Sequence, residues 1–479
     1  MTATILIIGA GFSGAVTAVN LLRLSHGRAL RIVLVNRSGA MARGIAYGTA
    51  STEHLLNVPA GNMSALADDP QDFVNYLRWA TPSTTPADFV RRQLYGCYLE
   101  ALLDAAAHAA PPSTTLERWV GEVVSIDGGG ADTAAHVRLA DGRVIDADRV
   151  VLAFGHFAPA DPAAAAPLRT SVRYVRDPWV PGALARIGAD EPVLLLGTGL
   201  TAVDVALSLA GAGRSAPLHA LSRRGLLPAA HRARRSQLDD AEALDLVDAM
   251  AGASVRGGLR ALRAGVRRHE AAGGDWRDVI AALRPATPRL WQGLAPADRA
   301  RFVQRLQPYW DVARHRCAPA SYERFLALRD AGLLDARAGR LRVLQEIDGG
   351  VEAVFAPRGG GDEQRLQVAH VVNCTGPSTD LERVAEPLVL QLRRDGRLLQ
   401  DTLRLGVQVD SQGSLLDREG RPSPCLHYIG PLLRARDWEA TAVPELRMHA
   451  RVLAERLLDG LPLPAAAPQA ASTQLPIAT

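Results

Sequence analysis

No lysine occurs anywhere in the chain; its 54 basic side chains are all arginine. Schiff-base chemistry and a phosphate loop built on lysine are therefore excluded, and any phosphate must be held by arginine or by backbone N–H groups. Cysteine is nearly as scarce. Cys97, Cys317, Cys374 and Cys425 are widely spaced with no CxxC, which argues for a reducing cytoplasm and against a disulfide framework or a disulfide reductase. Aromatic residues make up 5%. The densest basic run, "SRRGLLPAAHRARR" with Arg223, Arg224, Arg232, Arg234 and Arg235, lacks the interleaved aromatics of a single-strand binder, so no nucleic-acid partner is expected. HExxH, metal-spaced cysteines and GxSxG are also missing, which removes metal sites, metalloproteases and α/β-hydrolases. One uncharged run, Ile5 to Leu22, has nearly the length of a membrane span. Gly9, Gly11, Gly14 and Asn20 interrupt it, and no positive residue precedes it as in a signal peptide, so no membrane partner is expected.

What is present is a soluble composition, 48% hydrophobic and 22% charged, over 479 residues, enough for two or three domains. The net charge of +4 suits anionic cofactors without requiring nucleic acid. "TILIIGAGFSGAVTAVNLLRLS" followed by "RIVLVN" reads as a buried strand, a glycine turn, a helix and a second strand. In Gly9-x-Gly11-Phe12-Ser13-Gly14 the first glycine makes the turn, the second lets backbone approach a pyrophosphate, and the third lets helix pack on strand. The helix N-terminus supplies donors for the phosphates. A second unit, "EPVLLLGTGLTAVDVALSLAGAG", repeats the pattern with Gly197, Gly199, Leu200 and Thr201, has Ala202 at the third glycine position, and leads to a strand ending in Ser222, Arg223 and Arg224. Two such units in one chain imply two dinucleotide sites, or one and a relative of it.

The first unit poses a question. Its second strand ends on Asn36, followed by Arg37 and Ser38, where a carboxylate usually grips a ribose. Lacking a carboxylate and offering Arg37, it could take the 2′-phosphate of NADP; equally, it could be an FAD site without its usual anchor. On the FAD reading, Asn36→Asp should preserve or tighten FAD binding by adding a charged acceptor. Two later strands end in turns at Gly155 and Gly376, where the chain leaves the sheet close to a bound cofactor. His156 follows the first of these, but without the His and Trp spacing of a Baeyer–Villiger enzyme. Between the second unit and Pro319 lies a mainly helical insert, a candidate cap or substrate element.

The two fingerprints, "ARGIAYGT" (42–49), "LLNVPAGNMS" (55–64), "RRQLYGCYL", "SRRGLLPAAHR", "DWRDVIAALRP", "PYWDVARHR" and "WEATAVPELR" together resemble a bacterial family of FAD/NAD(P)-binding oxidoreductases over almost the whole chain. More distantly, the layout is similar to the class B flavoprotein monooxygenases, among them the amine N-hydroxylases. The resemblance implies an α/β fold of two Rossmann-like domains plus a helical insert. Residues 1–160 and 377–461 would form the FAD-binding domain, 161–231 and 321–376 the NADPH-binding domain, 232–320 the helical insert or substrate element, and 462–479 a disordered tail. Family members usually show Glu where Asn36 stands.

On that layout Arg43, Gly44, Ala46 and Tyr47 pass beneath the flavin or its pyrophosphate, and Asn57, Val58 and Met63 face its ring. Trp438, Glu439 and Val443 lead into a final helix aimed at the ring's pyrimidine edge. Asn57, Trp438 and His315, whose imidazole could move protons near neutral pH, are the candidate catalytic residues. The expected activity is a cytoplasmic, FAD-dependent, NADPH-using monooxygenase acting with molecular oxygen on a small polar molecule, with an amine nitrogen as a candidate acceptor. An FAD-dependent reductase or dehydrogenase without oxygenation, and a non-catalytic flavin-binding partner protein, are the alternatives.

Overall fold

The computed structural model describes residues 2–130, 133–211, 213–232, 238–459 and 461. Arg234, Arg235 and the expected tail at 462–479 lie outside the described residues. The membrane-length apolar run resolves into strand Ala3–Ile8, a turn, and helix Phe12–Leu24. That strand lies at the centre of a six-stranded sheet, paired in parallel with Leu30–Asn36 on one side and Arg149–Leu152 on the other. Pro422–Tyr428, from near the other end of the chain, adds in parallel beside Arg149–Leu152. Ile5, Leu6 and Ile7 are fully buried because both faces of the sheet are covered. Helix Phe12–Leu24 and the final helix, Val443–Leu458, pack on one face. A three-stranded antiparallel sheet (Val123–Gly128, Ala135–Leu139, Val144–Ala147) and helix Pro387–Arg394 cover the other.

The second fingerprint builds the second sheet. Val193–Leu196 pairs in parallel with Leu218–Ser222 and with His370–Asn373, and Tyr174–Val175 closes that edge. On the opposite side Leu334–Ile347 adds in parallel and then folds into an antiparallel meander through Gly350–Pro357 and Gln364–Val368. A buried ion pair, Arg92 Nη1 to Asp204 Oδ2 at 2.9 Å, ties the two units together, as does His54, whose ring nitrogens meet Thr49 Oγ1 and Ser208 Oγ at 2.8 and 2.9 Å.

The insert is helical from Asp240 to Arg314. Its two ends meet, since the Cys317 N–H donates to Ala229 O at 2.8 Å and the His231 N–H to Cys317 O at 3.0 Å. The boundary expected at 320 needs correcting: it cuts helix Pro319–Asp330, whose Phe325 is buried in the second unit's core with Val203 and Val205. That helix belongs by packing to the second unit.

Candidate functional site

Both glycine turns are shaped as a dinucleotide requires. Gly9 has φ +107°, and a Cβ there would lie 2.5 Å from Ala153 O. Gly197 has φ +126°, with a Cβ 2.5 Å from Cys374 O. Gly14 is equally obligatory, because a Cβ would fall 1.9 Å from Gly9 O. Gly11 and Gly199 are the N-caps of helices Phe12–Leu24 and Leu200–Ala210, and no side chain caps either. The first-turn N–H groups of both helices are therefore available to phosphate oxygens. Gly155 and Gly376 have open space where a Cβ would be, at the ends of the strands flanking each turn.

The run from Ala42 to Thr49 folds back on the first turn, with an ideal Cβ on Gly44 only 3.0 Å from Gly11 Cα. Gly44 (φ +57°) can adopt this bend readily; Ala42, buried at φ +69°, is held there by its surroundings. Several side chains expected at the cofactor are engaged elsewhere. Arg43 Nε and Nη2 donate to Glu100 Oε1 and Oε2, both at 2.6 Å, and this hydrogen bonding raises its pKa. Gly96 makes that approach possible, since a Cβ there would strike Tyr47 O at 2.6 Å. Phe12 and Tyr47 pack on Tyr95, with Tyr47 edge-on at 4.6 Å. Ser13 and Met63 are buried, Val58 packs against the same core, and Ala46 is exposed. Asn57 differs: its carbonyl meets His231 Nε2 at 3.0 Å, while its side-chain amide makes no hydrogen bond among the described residues.

Asn36 has a role the sequence did not suggest. Its Nδ2 donates to Ala40 O at 2.7 Å and Ser38 O at 3.1 Å, and two carbonyl acceptors fix which way the amide points. It clamps the loop that follows the strand, leaving Oδ1 to accept a ribose hydroxyl. An aspartate there would set carboxylate oxygen against carbonyl oxygen, so the expectation that Asn36→Asp tightens FAD is withdrawn. Arg37, exposed, lies 3.8 Å from Glu122 and 3.9 Å from Glu386.

The second site has the opposite electrostatic character. Ser222 Oγ accepts the Gly225 N–H at 2.9 Å and contacts Thr198 Oγ1 at 2.9 Å; Thr198 itself donates to Leu226 O at 2.6 Å. Ser222 therefore shapes the turn. Leu200 and Thr201, half-buried, open the helix. Arg223 is exposed and makes no hydrogen bond or ion pair among the described residues, while Arg224 donates to Gln304 O at 3.4 Å and lies over the Tyr309 ring at 5.7 Å. A third cation stands beside them: Arg358 Nη1 donates to Arg224 O at 3.4 Å. Sequence reasoning missed Arg358, which lies far along the chain. The meander brings it back, because Ser222 pairs with Ala338 and the Arg358 N–H bonds to Ala338 O at 2.9 Å.

The candidate catalytic residues separate. His315 retains accessible surface yet is so desolvated that burial, aided by the Arg314, Arg434 and Arg284 charges, pushes it down to about 3. His156, whose side chain is exposed, also has its pKa lowered to about 4, by desolvation and by the Arg434 charge. The lowered pKa of His315 disfavours the imidazolium that proton transfer near neutral pH would use. Asp311 lies 3.8 Å from His315 and is paired with Arg434 at 3.3 Å. Trp438 is instead buried in packing, with Trp291 at 4.6 Å, Phe302 at 5.1 Å and the Arg434 guanidinium over its ring at 4.1 Å. Glu439, fully buried, meets Arg314 at 2.8 Å, and Arg284 grips Glu445 through two bonds of 2.5 and 2.6 Å. These pairs dock the insert on the segment that leads through Val443 into the final helix.

A family model described as FAD-NAD(P)-binding matches residues 6–157. No curated protein matches the chain. Among solved structures, the reduced form of an ornithine hydroxylase from Pseudomonas aeruginosa superposes with a TM-score of 0.65 at 15% identity, covering 96% of this chain and 99% of that one. An ornithine N-hydroxylase from Kutzneria sp. 744, with reduced FAD, NADP+ and L-ornithine, gives 0.63 at 14% identity, covering 95% and 100%. A cadaverine monooxygenase from Erwinia amylovora bound to FAD gives 0.62 at 15%, covering 100% and 99%. This likeness shows the fold, the expected two-dinucleotide α/β architecture. No helix among the described residues is long and apolar enough to cross a membrane.

Proposed function

We propose that the chain is an oxidoreductase that holds FAD at the first glycine turn and NADPH at the second, and uses molecular oxygen to hydroxylate the nitrogen of a small amine. The observation that carries the assignment is the charge contrast between the turns. Arg37 is flanked by Glu122 and Glu386, carboxylates that would repel a 2′-phosphate, whereas Arg223, Arg224 and Arg358 gather at the second turn. Bound there, the two cofactors would supply the hydride and the two-electron chemistry. The fold shared with structures named ornithine hydroxylase and cadaverine monooxygenase supports oxygenation of an amine. Cysteine chemistry finds no support, since Cys317, Cys374 and Cys425 are buried and burial raises each thiol, Cys317 to about 12. A cytoplasmic address belongs to this reading.

The chain's own residues prepare the amine. Desolvation lowers the pKa of His156 and of His315, and an amine held beside either would likewise favour the free base, whose nitrogen carries the reactive lone pair. The unengaged amide of Asn57 can orient substrate or ring by hydrogen bonding. Purified protein should be yellow, release FAD on denaturation, oxidise NADPH in preference to NADH, and consume oxygen with formation of an N-hydroxylated product from ornithine, lysine or cadaverine. A colourless protein that takes up no FAD overturns the assignment. FAD reduction by NADPH with no amine product reduces the activity to that of a reductase.

A further inference from the structure

Inside the helical insert lies a partly open cavity of about 220 Å³. Its wall is apolar, including Leu259, Leu262, Ile280, Leu290, Trp291 and Phe302, and among the described residues no charged one lines it. The hydroxyls of Ser254 and Thr287 on the wall are already engaged, by the Gly257 N–H at 3.2 Å and by Leu283 O at 3.0 Å. An empty apolar space costs stability in proportion to its volume, and one of about 150 Å³ takes up a benzene ring. The indole N–H groups of Trp310 and Trp438, both lining residues, are buried without a hydrogen-bond partner among the described residues; two neutral donors could meet one polar atom of a substrate, but the wall offers no acceptor for the second ammonium of a diamine and no cation for a carboxylate.

Two features connect this space to the segment that leads into the final helix. One helix, Gln307–Arg314, spans both: Tyr309, Trp310 and Ala313 line the cavity, while Asp311 and Arg314 make ion pairs to Arg434 and Glu439. The preceding turn, Phe302–Leu306, is a π-helix that contributes Phe302 and Leu306 to the wall, and π segments are frequent at functional sites. Trp438 is shared by the cavity wall and the Arg434 stack.

We propose that the insert cavity seats an apolar chain or ring carried by the substrate, so that the molecule oxidised is an amine with an apolar tail and not a free amino acid or diamine. The inference rests on the amine-oxygenating reading above. Binding tests it apart from turnover. Titrating the FAD-loaded protein with 1-octanol should give a saturable change in tryptophan fluorescence, since Trp291, Trp310 and Trp438 line the space. n-Octylamine should displace the octanol at concentrations at least tenfold lower than 1,5-diaminopentane. Gly258→Leu and Ala313→Phe fill the cavity from two different helices; at Gly258 a Cβ would meet only Met250 Cε, at an ordinary 3.7 Å. Each variant should raise the octanol Kd tenfold or more while keeping FAD content and the unfolding midpoint of the parent. No saturable octanol signal, or an unchanged Kd in both variants when they are folded and yellow, overturns the cavity assignment. Octylamine that competes no better than diaminopentane overturns the apolar-tailed amine as substrate. Octylamine that binds but is never N-hydroxylated defeats the oxygenation reading and leaves the cavity as an apolar site.

Discussion

The two glycine turns share a backbone and differ in their neighbours. At each, the first glycine sits at strongly positive φ under a carbonyl of the adjacent strand, Ala153 for Gly9 and Cys374 for Gly197, at the same 2.5 Å from an ideal Cβ. They part at the third position, where Gly14 admits no Cβ but Ala202 is buried without difficulty. They part again at the end of the next strand, where one arginine stands between two glutamates and the other arginines stand together. Backbone geometry makes a pyrophosphate cradle; side chains delivered from distant parts of each sheet decide which dinucleotide it suits.

The largest effect should come from the third position. Gly14→Ala forces a Cβ to within 1.9 Å of Gly9 O, so helix and strand must separate. The variant should purify without FAD and unfold well below the parent. Ala202→Gly in the second unit should cost only about 1 kcal/mol, the helix-propensity difference, and leave NADPH binding intact. Thermal unfolding and FAD content check both. Equal damage at the two positions would mean that the turns are not built as differently as their glycines indicate.

Next is the seam between the units. Asp204→Ala leaves Arg92 buried without its 2.9 Å partner, and breaking a buried pair in this way costs about 3–5 kcal/mol. Chemical denaturation should show this loss, along with weaker coupling of NADPH oxidation to FAD reduction. A change under 1 kcal/mol would mean that the two units hold together without this pair.

The charge contrast itself is tested by removing arginines. Charge-assisted hydrogen bonds are worth roughly 1.5–3 kcal/mol each. Arg223→Ala with Arg224→Ala should raise the KM for NADPH more than tenfold and that for NADH little. Arg358→Ala should act the same way to a smaller degree. Arg37→Ala should leave the NADPH KM unchanged, and a tenfold rise there would reverse the assignment of the sites.

Legibility in the sequence follows the range of the interactions. The glycine turns could be read because strand, turn and helix are contiguous, and a glycine pattern reports backbone constraint directly. The two-domain layout and the return of the chain to the first sheet, by strand Pro422–Tyr428, came through the resemblance. Arg43 was misread because its partner Glu100 lies on a separate helix, where no local pattern shows it. Arg358 was missed because only the register of an antiparallel meander brings it to Ser222. Trp438 looked catalytic beside a helix start, but its neighbours Trp291 and Phe302 come from the insert, whose docking no spacing rule encodes.

The smallest effect, at Asn36, has a sign that separates the two sites. The amide donates to Ser38 O and Ala40 O in a loop exposed to solvent, so its bonds are worth about 0.5–1.5 kcal/mol. In Asn36→Asp the introduced carboxylate faces those carbonyls, the loop opens, and FAD affinity falls severalfold. Lowering the pH into the carboxylate range should restore part of the affinity, because the carboxylic acid can donate one hydrogen bond where the carboxylate can donate none. Asn36→Ser, which shortens the donor without adding charge, should show the loss without the pH dependence. NADPH affinity at the second site should be unchanged in both variants. If the first turn instead held NADP, the introduced charge would lie against the 2′-phosphate, so NADPH affinity would fall while FAD affinity held. Equilibrium titration of apoprotein with each cofactor distinguishes the outcomes, and tighter FAD binding would show that Asn36 serves the ribose and not the loop.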